Sequence, residues 1–211
     1  MLFIFDLDGT LIDSRADLTT AANLVRRHYG LPALPGETVA GYVGDGIRVL
    51  MERALAGTGA DIDTAVQLQE KFYSEHLVDD TVLYPDVADG LRRLFGAGHA
   101  LAVASNKPVV FSEKILRHFG LREMLVHVAG DGNAAPLKPH PAMIVDTMRR
   151  AGIEAAQTWM VGDHHTDLEA ARHAGCRSVF LADGIGRQGT ETPDIVCASF
   201  AEFVGRFAPQ S

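Results

Sequence analysis

Short runs of apolar, strand-forming residues recur along the chain, and segments with helical periodicity separate them. Each run is nearly continuous in hydrophobicity rather than alternating, which is typical of strands covered by helices on both faces. This succession predicts an α/β protein with a Rossmann-like core of three layers around a parallel sheet. The predicted strands are residues 2–5, 100–104, 126–129, 158–161 and 178–181.

Residues 14–82 break this rhythm because they contain helical patterns and no convincing strand. We expect helices over residues 16–28, 46–56 and 61–77. The chain is therefore predicted to have a Rossmann-like core of residues 1–13 and 83–211, with an all-α domain of residues 14–82, here called the insertion. An insertion after the first strand would lie over the carboxyl ends of the strands, where open α/β sheets bind ligands, and would act as a lid.

Composition narrows the class of protein. The hydrophobic fraction is 47%, and the net charge of −8 disfavours nucleic acid as a partner, because nonspecific binding to it depends on clustered Lys and Arg. No apolar stretch approaches the roughly 20 residues of a membrane-spanning helix, so we expect no such helix. Met1 leads straight into the first predicted strand, so we expect no signal peptide either. Cys176 and Cys197 lie in apolar segments, which favours buried thiols and a cytoplasmic location.

A pair of carboxylates follows the first predicted strand, in the motif Asp6-Leu7-Asp8-Gly9-Thr10. Residues two apart project to the same side of an extended chain, so Asp6 and Asp8 can face one site while Gly9 permits a sharp turn. Mg²⁺ would offset their repulsion. In that arrangement Asp6 attacks phosphorus, and Asp8 protonates the leaving oxygen and later activates water. The alternative is a solvated acidic turn.

A second acidic motif, Gly162-Asp163-His164-His165-Thr166-Asp167, follows the strand predicted at 158–161. Asp163 and Asp167 are four apart on a helix and therefore share one face, where they could add metal ligands. Acidic residues at a helix start are also ordinary caps. We interpret His164 and His165 as loop residues, since a cation that prefers oxygen does not call for imidazole.

Two further positions could contact phosphate. Ser105 ends the strand at 100–104 and is followed by Asn106, where a hydroxyl and turn amides can bind phosphate oxygens. Lys138 precedes Pro139, and its ammonium could balance the charge of a transferring group. Each position is ordinary alone, but all follow successive strands at the end of the sheet where one site can form.

The ordered series of Asp-x-Asp-Gly-Thr, Ser, Lys-Pro and Gly-Asp-x-x-x-Asp, with a helical insertion after the first motif, resembles the haloacid dehalogenase-like superfamily over nearly the whole chain. The helical cap and the segments 13–18 and 43–50 resemble its phosphoglycolate phosphatase branch. This resemblance implies that Asp6 is the nucleophile and Asp8 the acid/base. It also implies that Thr10, Ser105, Asn106 and Lys138 contact phosphate. Mg²⁺ would be held by Asp6, by Asp163 and by the backbone carbonyl of Asp8, and Asp167 would either lie near the ion or contact one of its ligands.

The carboxylate of Asp8 favours a phosphatase over a dehalogenase, because dehalogenases of this superfamily lack an acid/base there. The expected partner is a small phosphorylated metabolite, 2-phosphoglycolate first; a sugar-phosphate phosphatase, a phosphomutase and a pyrophosphatase are alternatives. A receiver-like phosphorylation switch is a different class, but it needs neither a lid nor an acid/base. Two departures bear on the substrate: His164 stands where a Ser is common, and residues 183–187 replace an aromatic-containing segment. We expect a monomer or a homodimer.

Substrate choice should depend on the insertion, because the core contacts only the phosphoryl group. Gly44 and Gly46 could expose amides at a helix start to a small carboxylate, with Arg48 as its charge partner. The alternative is a tight turn with Arg48 in solvent.

Overall fold

The computed structural model describes residues 1–208. A single long sheet dominates them, and most of its strands lie where apolar runs predict them. The strands in chain order are β1 (Leu2–Phe5), β2 (Ile12–Asp13), β3 (Val82–Leu83), β4 (Ala100–Pro108), β5 (Leu125–Asp131), β6 (Thr158–Gly162), β7 (Arg177–Leu181) and β8 (Ile195–Cys197).

The central sheet has the order β5-β4-β1-β6-β7-β8, and every neighbouring pair in it is parallel. The predicted α/β class and parallel sheet are thus confirmed. Strand β1 lies between β4 and β6, so the loops that follow these three strands open side by side at one edge of the sheet. This topology brings together the motifs that the sequence places far apart.

Helices surround the sheet and fill the intervals between strands. They are α1 (Arg15–His28), α2 (Gly36–Ala40), α3 (Ile47–Ala54), α4 (Ile62–Glu75), α5 (Val87–Gly96), α6 (Val109–His118), α7 (Ala142–Ala151), α8 (His165–Ala174) and α9 (Phe200–Phe207). Helix α2 was not expected from the sequence, because it is only one turn long and begins beside Pro35 and Gly36, which usually end helices.

Strand β1 divides the core into its two apolar layers. Phe3 and Phe5 pack in one cluster with side chains of α5, α6 and α9, and Leu2 and Ile4 pack in the other with those of α7 and α8. Successive strand residues point to opposite faces of a sheet, so one continuous apolar run supplies both layers. The three-layer arrangement follows from that alternation.

Helices α1–α4 leave and rejoin the core through a two-stranded antiparallel ladder in which Ile12 pairs with Leu83 and Asp13 with Val82. They enclose an apolar cluster of their own that includes Leu50 and Met51. The buried Asp17 carboxylate accepts hydrogen bonds from the backbone N–H groups of Asp80 and Thr81, at 3.0 and 2.8 Å. The start and the end of the insertion are therefore joined beside the core.

Among residues 1–208, no helix combines the length and the apolar character needed to cross a lipid bilayer.

Candidate active site

The first loop places Asp6 and Asp8 at the centre of the sheet edge. Asp6 follows β1 directly, and its backbone N–H donates to the carbonyl of Val161 on the neighbouring β6, at 2.9 Å. Gly9 adopts φ +84°, which turns the chain back so that its N–H donates to the carbonyl of Ile12. Asp6 is 6% exposed, so its carboxylate lies in a largely dry environment.

Asp163 follows β6 and lies against the first loop. Its Oδ1 accepts from the Thr10 hydroxyl at 2.9 Å, and its Oδ2 accepts from the N–H groups of Ile185 and Gly186 at 2.9 and 2.7 Å. A Cβ on Gly9 would lie 2.1 Å from Asp163 Oδ2, so only glycine allows the two loops to approach this closely. Thr10 and the 183–187 segment therefore fix the direction of this carboxylate.

The acidic cluster lacks full charge compensation. Burial raises the pKa of Asp163 to about 7, and the negative charge of Asp6 adds to this; the hydrogen bonds from Gly186, Thr10 and Ile185 partly offset it. A carboxylate with this pKa binds a proton, or a cation in its place, near neutral pH.

Lys138 joins two of the carboxylates. Its Nζ lies 3.0 Å from Asp6 Oδ1 and 2.6 Å from Asp167 Oδ1. Burial alone would lower the pKa of Lys138, but Asp167 and Asp6 outweigh it and raise the pKa, so the ammonium stays charged. The other oxygen of Asp167 accepts from the N–H of His164 at 3.1 Å, as part of a capping box that begins α8.

Asn106 holds Lys138 in place. Its Oδ1 accepts from the Lys138 N–H at 2.8 Å, and its Nδ2 donates to the carbonyls of Lys138 and Gly44 at 2.8 and 3.0 Å. The amide predicted to contact phosphate is thus occupied in joining the core to the insertion. Ser105 is buried beside it and lines a cavity.

Asp8 has partners that the sequence does not reveal. Its Oδ1 accepts a short hydrogen bond from the Ser14 hydroxyl and lies 3.0 Å from Lys107 Nζ. Lys107 Nζ also donates to the hydroxyl of Tyr73 on α4, at 2.6 Å. Burial disfavours the charged form of Lys107, but Asp8 outweighs this and raises its pKa above the ordinary value.

A cavity of about 50 Å³ lies between the core and the insertion. Its polar lining comes from Asp6, Asp8, Gln69, Tyr73, Ser105, Asn106 and Lys107. Apolar residues of the insertion and of α6 complete its walls: Leu18, Val43, Ile47, Leu50 and Phe111.

The two glycines and the arginine predicted to bind a carboxylate in the insertion do not lie at one site. Gly44 and Gly46 line the cavity, and both have positive φ. Arg48 does not line it: its side chain is 56% exposed and forms an ion pair with Asp63. The helix turns Arg48 away from the cavity because it lies two positions after Gly46. The alternative of a tight turn with a solvated arginine describes this segment.

His164 and His165 were both predicted to be loop residues, but His164 is the buried N-cap of α8 and His165 is the first residue of that helix. His164 Nδ1 lies 3.0 Å from the Thr166 hydroxyl, and a Cβ on Gly44 would lie 3.1 Å from the His164 ring. Burial, followed by the charge of His165, lowers the pKa of His164 to about 4. The ring therefore packs, uncharged, where the insertion meets the core.

Three buried carboxylates suit a divalent cation. Oxygens of Asp6, Asp163 and Asp167 lie within 4.8 Å of one another. Apart from its ion pair with Lys138, Asp6 Oδ1 has no hydrogen-bond partner in the described part of the chain. Hard oxygen donors and uncompensated negative charge are the conditions that Mg²⁺ requires, so the residues fit this ion.

A model of the haloacid dehalogenase-like hydrolase family matches residues 3–181. The chain belongs to this family. The match includes the strand-end motifs and the insertion, and it confirms the resemblance and the hydrolase class predicted from the sequence.

Relatives within the haloacid dehalogenase-like family match over most of their length. The phosphoglycolate phosphatase of Chromobacterium violaceum is 35% identical over 204 residues, which cover 94% of this chain and 92% of the relative. That of Psychrobacter arcticus is 38% identical over 192 residues, covering 87% and 84%. The crystal structure of a predicted phosphoglycolate phosphatase from Haemophilus somnus has a TM-score of 0.90 at 30% identity, covering 97% of this chain and 96% of that one.

Sequence reasoning missed Lys107, Tyr73 and Gln69 in this haloacid dehalogenase-like hydrolase. Lys107 comes two residues after Ser105, and the strand predicted to end at residue 104 continues through both of them to Pro108. Tyr73 and Gln69 are four apart on α4 and therefore share a helical face, but the sequence alone does not tell which face points to the core.

Proposed function

We propose that this chain is a magnesium-dependent phosphatase that hydrolyses the phosphate monoester of a small metabolite, 2-phosphoglycolate foremost, through an aspartyl-phosphate on Asp6. The observation that carries the proposal is the meeting of Asp6, Asp163 and Asp167 with Lys138 at the edge of the sheet, beside a small cavity. Two similar proteins are phosphoglycolate phosphatases, which supports the proposed substrate.

The chain's own residues account for both half-reactions. An Asp6 carboxylate oxygen forms a bond to phosphorus while the ester P–O bond breaks, and Asp8 gives its proton to the leaving alkoxide oxygen. Water then attacks the aspartyl-phosphate and passes a proton to Asp8, which releases inorganic phosphate and restores Asp6. Lys138, 3.0 Å from Asp6, offsets negative charge on the transferring group.

Asp6, Asp163 and the backbone carbonyl of Asp8 would hold Mg²⁺, which when bound would supply positive charge to offset that of the phosphoryl group. Asp163 has only neutral hydrogen-bond donors as partners, whereas the charge of Asp167 is already paired with the Lys138 ammonium at 2.6 Å, so we infer that Asp167 orients Lys138. Thr10 orients Asp163 in the same way, and Ser105 remains the hydroxyl that faces the phosphate.

The proposed division of the chain assigns residues 14–82 to a cap that closes over the reaction. A cavity of about 50 Å³ fits a short leaving group, which favours 2-phosphoglycolate over a sugar phosphate. Closure by the apolar side chains of Leu18, Val43 and Leu50 would exclude bulk water during phosphoryl transfer to Asp6 and so strengthen the charge interactions within the site. We also propose a cytoplasmic location, in keeping with the free thiols of Cys176 and Cys197.

A screen of small phosphorylated metabolites, with and without Mg²⁺, tests the proposal. We expect steady multiple turnover that depends on Mg²⁺ and is fastest with 2-phosphoglycolate. Asp6→Asn should lower kcat by at least about 10⁴-fold, whereas the surface control Asp89→Asn should not. Turnover by Asp6→Asn at the normal rate would reject the nucleophile. A single phosphorylation without turnover would indicate a switch, and return of the phosphoryl group to a sugar would indicate a phosphomutase.

A further inference from the structure

The lining of the cavity includes one positively charged side chain. Of the side chains that line the cavity, within residues 1–208, only Lys107 is cationic. It is 7% exposed, and its Nζ contacts Asp8 at 3.0 Å and the Tyr73 hydroxyl at 2.6 Å. These contacts account for two of the three N–H donors of an ammonium group, so a third can serve an oxygen atom in the cavity.

Tyr73 gives Lys107 a fixed position. The ammonium lies 4.4 Å from the centre of the Tyr73 ring as well as bonding to its hydroxyl, and the ring itself packs edge-on against Phe111 at 5.5 Å. A long lysine side chain ordinarily loses much freedom when it binds a ligand. Here that freedom is already lost, which favours binding.

Gln69 lies one helical turn before Tyr73 and also lines the cavity. Its side chain is 1% exposed, yet Oε1 has no hydrogen-bond partner in the described part of the chain. Buried amides are nearly always hydrogen-bonded, because leaving one unpaired destabilises the folded protein. The unpaired atom is an acceptor, but a half-turn about the last side-chain bond exchanges the oxygen and the NH₂ group of the amide, so the same position can present N–H donors to an acceptor on the substrate.

We propose that Lys107 and Gln69, with Tyr73 as the positioning residue, form a binding site for a carboxylate on the leaving group of the substrate. The site unites a core residue with the insertion, and it replaces the predicted role of Arg48, which lies in solvent. The surrounding apolar walls strengthen the ion pair by excluding water, and they limit the leaving group to a short chain. This inference rests on the proposed function for the identity of the other end of the substrate.

Binding measurements separate this inference from the proposed function. The probes are 2-phosphoglycolate and its uncharged amide, 2-phosphoglycolamide, titrated calorimetrically into Asp6→Asn protein with Mg²⁺. We expect the carboxylate to bind about 100-fold more tightly than the amide. Equal affinities would overturn the carboxylate site even if the wild-type enzyme turned over both. Selective binding of the carboxylate, with no turnover of it by the wild-type enzyme, would instead reject the phosphatase and leave the carboxylate site standing. If neither probe binds, the carboxylate site and the proposed function are both overturned.

Variants assign the selectivity to its residues. In the wild-type background, the ratio of kcat/KM for the acid to that for the amide should fall to about 1 in Lys107→Met, whatever happens to the two rates separately. Gln69→Glu, which keeps the size of the side chain, should reverse the preference by charge repulsion. Tyr73→Phe should give an intermediate ratio, and the surface variant Lys114→Met should keep the wild-type ratio. Parallel losses for both probes in Lys107→Met and Gln69→Glu would show a merely structural role and overturn the inference.

Discussion

The two walls of the cavity are built differently. On the core side, Asp163 accepts three hydrogen bonds and Asp167 two, so their carboxylates have fixed directions. On the insertion side the wall is mostly apolar, and the amide oxygen of the buried Gln69 has no hydrogen-bond partner within the described range 1–208. Groups that stabilise a developing charge must be fixed before the reaction, whereas groups that select a substrate can remain unpaired until it binds.

The attachment of the two regions reinforces this difference. The core residues follow neighbouring strands of one sheet, but the insertion joins the core through two residue pairs of β2 and β3 and through contacts such as Asn106 to Gly44. A change in the insertion should therefore alter selectivity before it alters the reaction itself.

After the loss of the nucleophile Asp6, the largest expected effect comes from breaking the core side at Lys138. Lys138→Met leaves the buried Asp6 and Asp167 without their shared cation. We expect kcat/KM to fall about 10³-fold and the free energy of unfolding to fall by about 3 kcal/mol, as measured by steady-state kinetics and urea denaturation. Lys114→Met, on the exposed side of α6, is the matched control. A fully active and stable Lys138→Met would contradict the proposed site.

The next effect is a dependence of stability on pH in the absence of metal. Because the pKa of Asp163 rises from 3.8 to about 7 on folding, the folded chain binds more protons than the unfolded chain between these values. The stability from this group is therefore present at low pH and is lost as pH rises through that range, by about 4 kcal/mol at most.

Thermal unfolding in EDTA, compared between wild type and Asp163→Asn, measures this contribution. We expect the variant to be the more stable of the two near pH 8, and added Mg²⁺ to stabilise only the wild type there. If the two proteins have parallel pH profiles, Asp163 does not carry the uncompensated charge.

A smaller effect compares the apolar clusters of the two regions. Met51 in the insertion and Met143 in the core are both fully buried, so truncation to alanine should cost each protein about 3 kcal/mol. The region in which hydrogen exchange becomes faster should differ between the two variants. Met51→Ala should speed exchange mainly in α1–α4 and lower the selectivity for carboxylate. Met143→Ala should affect the strands. Identical exchange patterns would show that the two regions unfold as one unit.

The smallest effect is expected at Arg48. Its ion pair with Asp63 is exposed, so Arg48→Ala should leave the thermal midpoint unchanged. It should change kcat/KM by less than about twofold for acidic and neutral substrates alike. A selective rise in KM for the acid would return the carboxylate site to Arg48 and away from Lys107.

Much of the fold was predictable because β1 and β6 are fully buried and their sequences are mostly apolar. The short strands β2, β3 and β8 were missed, since two or three residues carry no periodicity. The same limit applies to α2.

The candidate site was predictable where a strand end fixes a side chain, as at Asp6 and Asp163. It was not predictable where a helix face decides, as at Gln69 and Tyr73, or where a remote loop supplies backbone donors, as residues 183–187 do for Asp163. The prediction for Arg48 used only its distance from Gly46, and the rotation of α3 turned that side chain to solvent.

The amino-acid sequence by itself determined the parallel sheet, the helical insertion and the acidic residues that follow the strands, because burial periodicity and chemical type are local properties. Only the tertiary structure decided that Lys107 rather than Arg48 faces the cavity, that Asn106 holds Lys138, and that Gln69 Oε1 is buried with no hydrogen-bond partner among residues 1–208. Those outcomes depend on how the insertion is oriented over the core. Many contacts between residues distant in the chain set that orientation together.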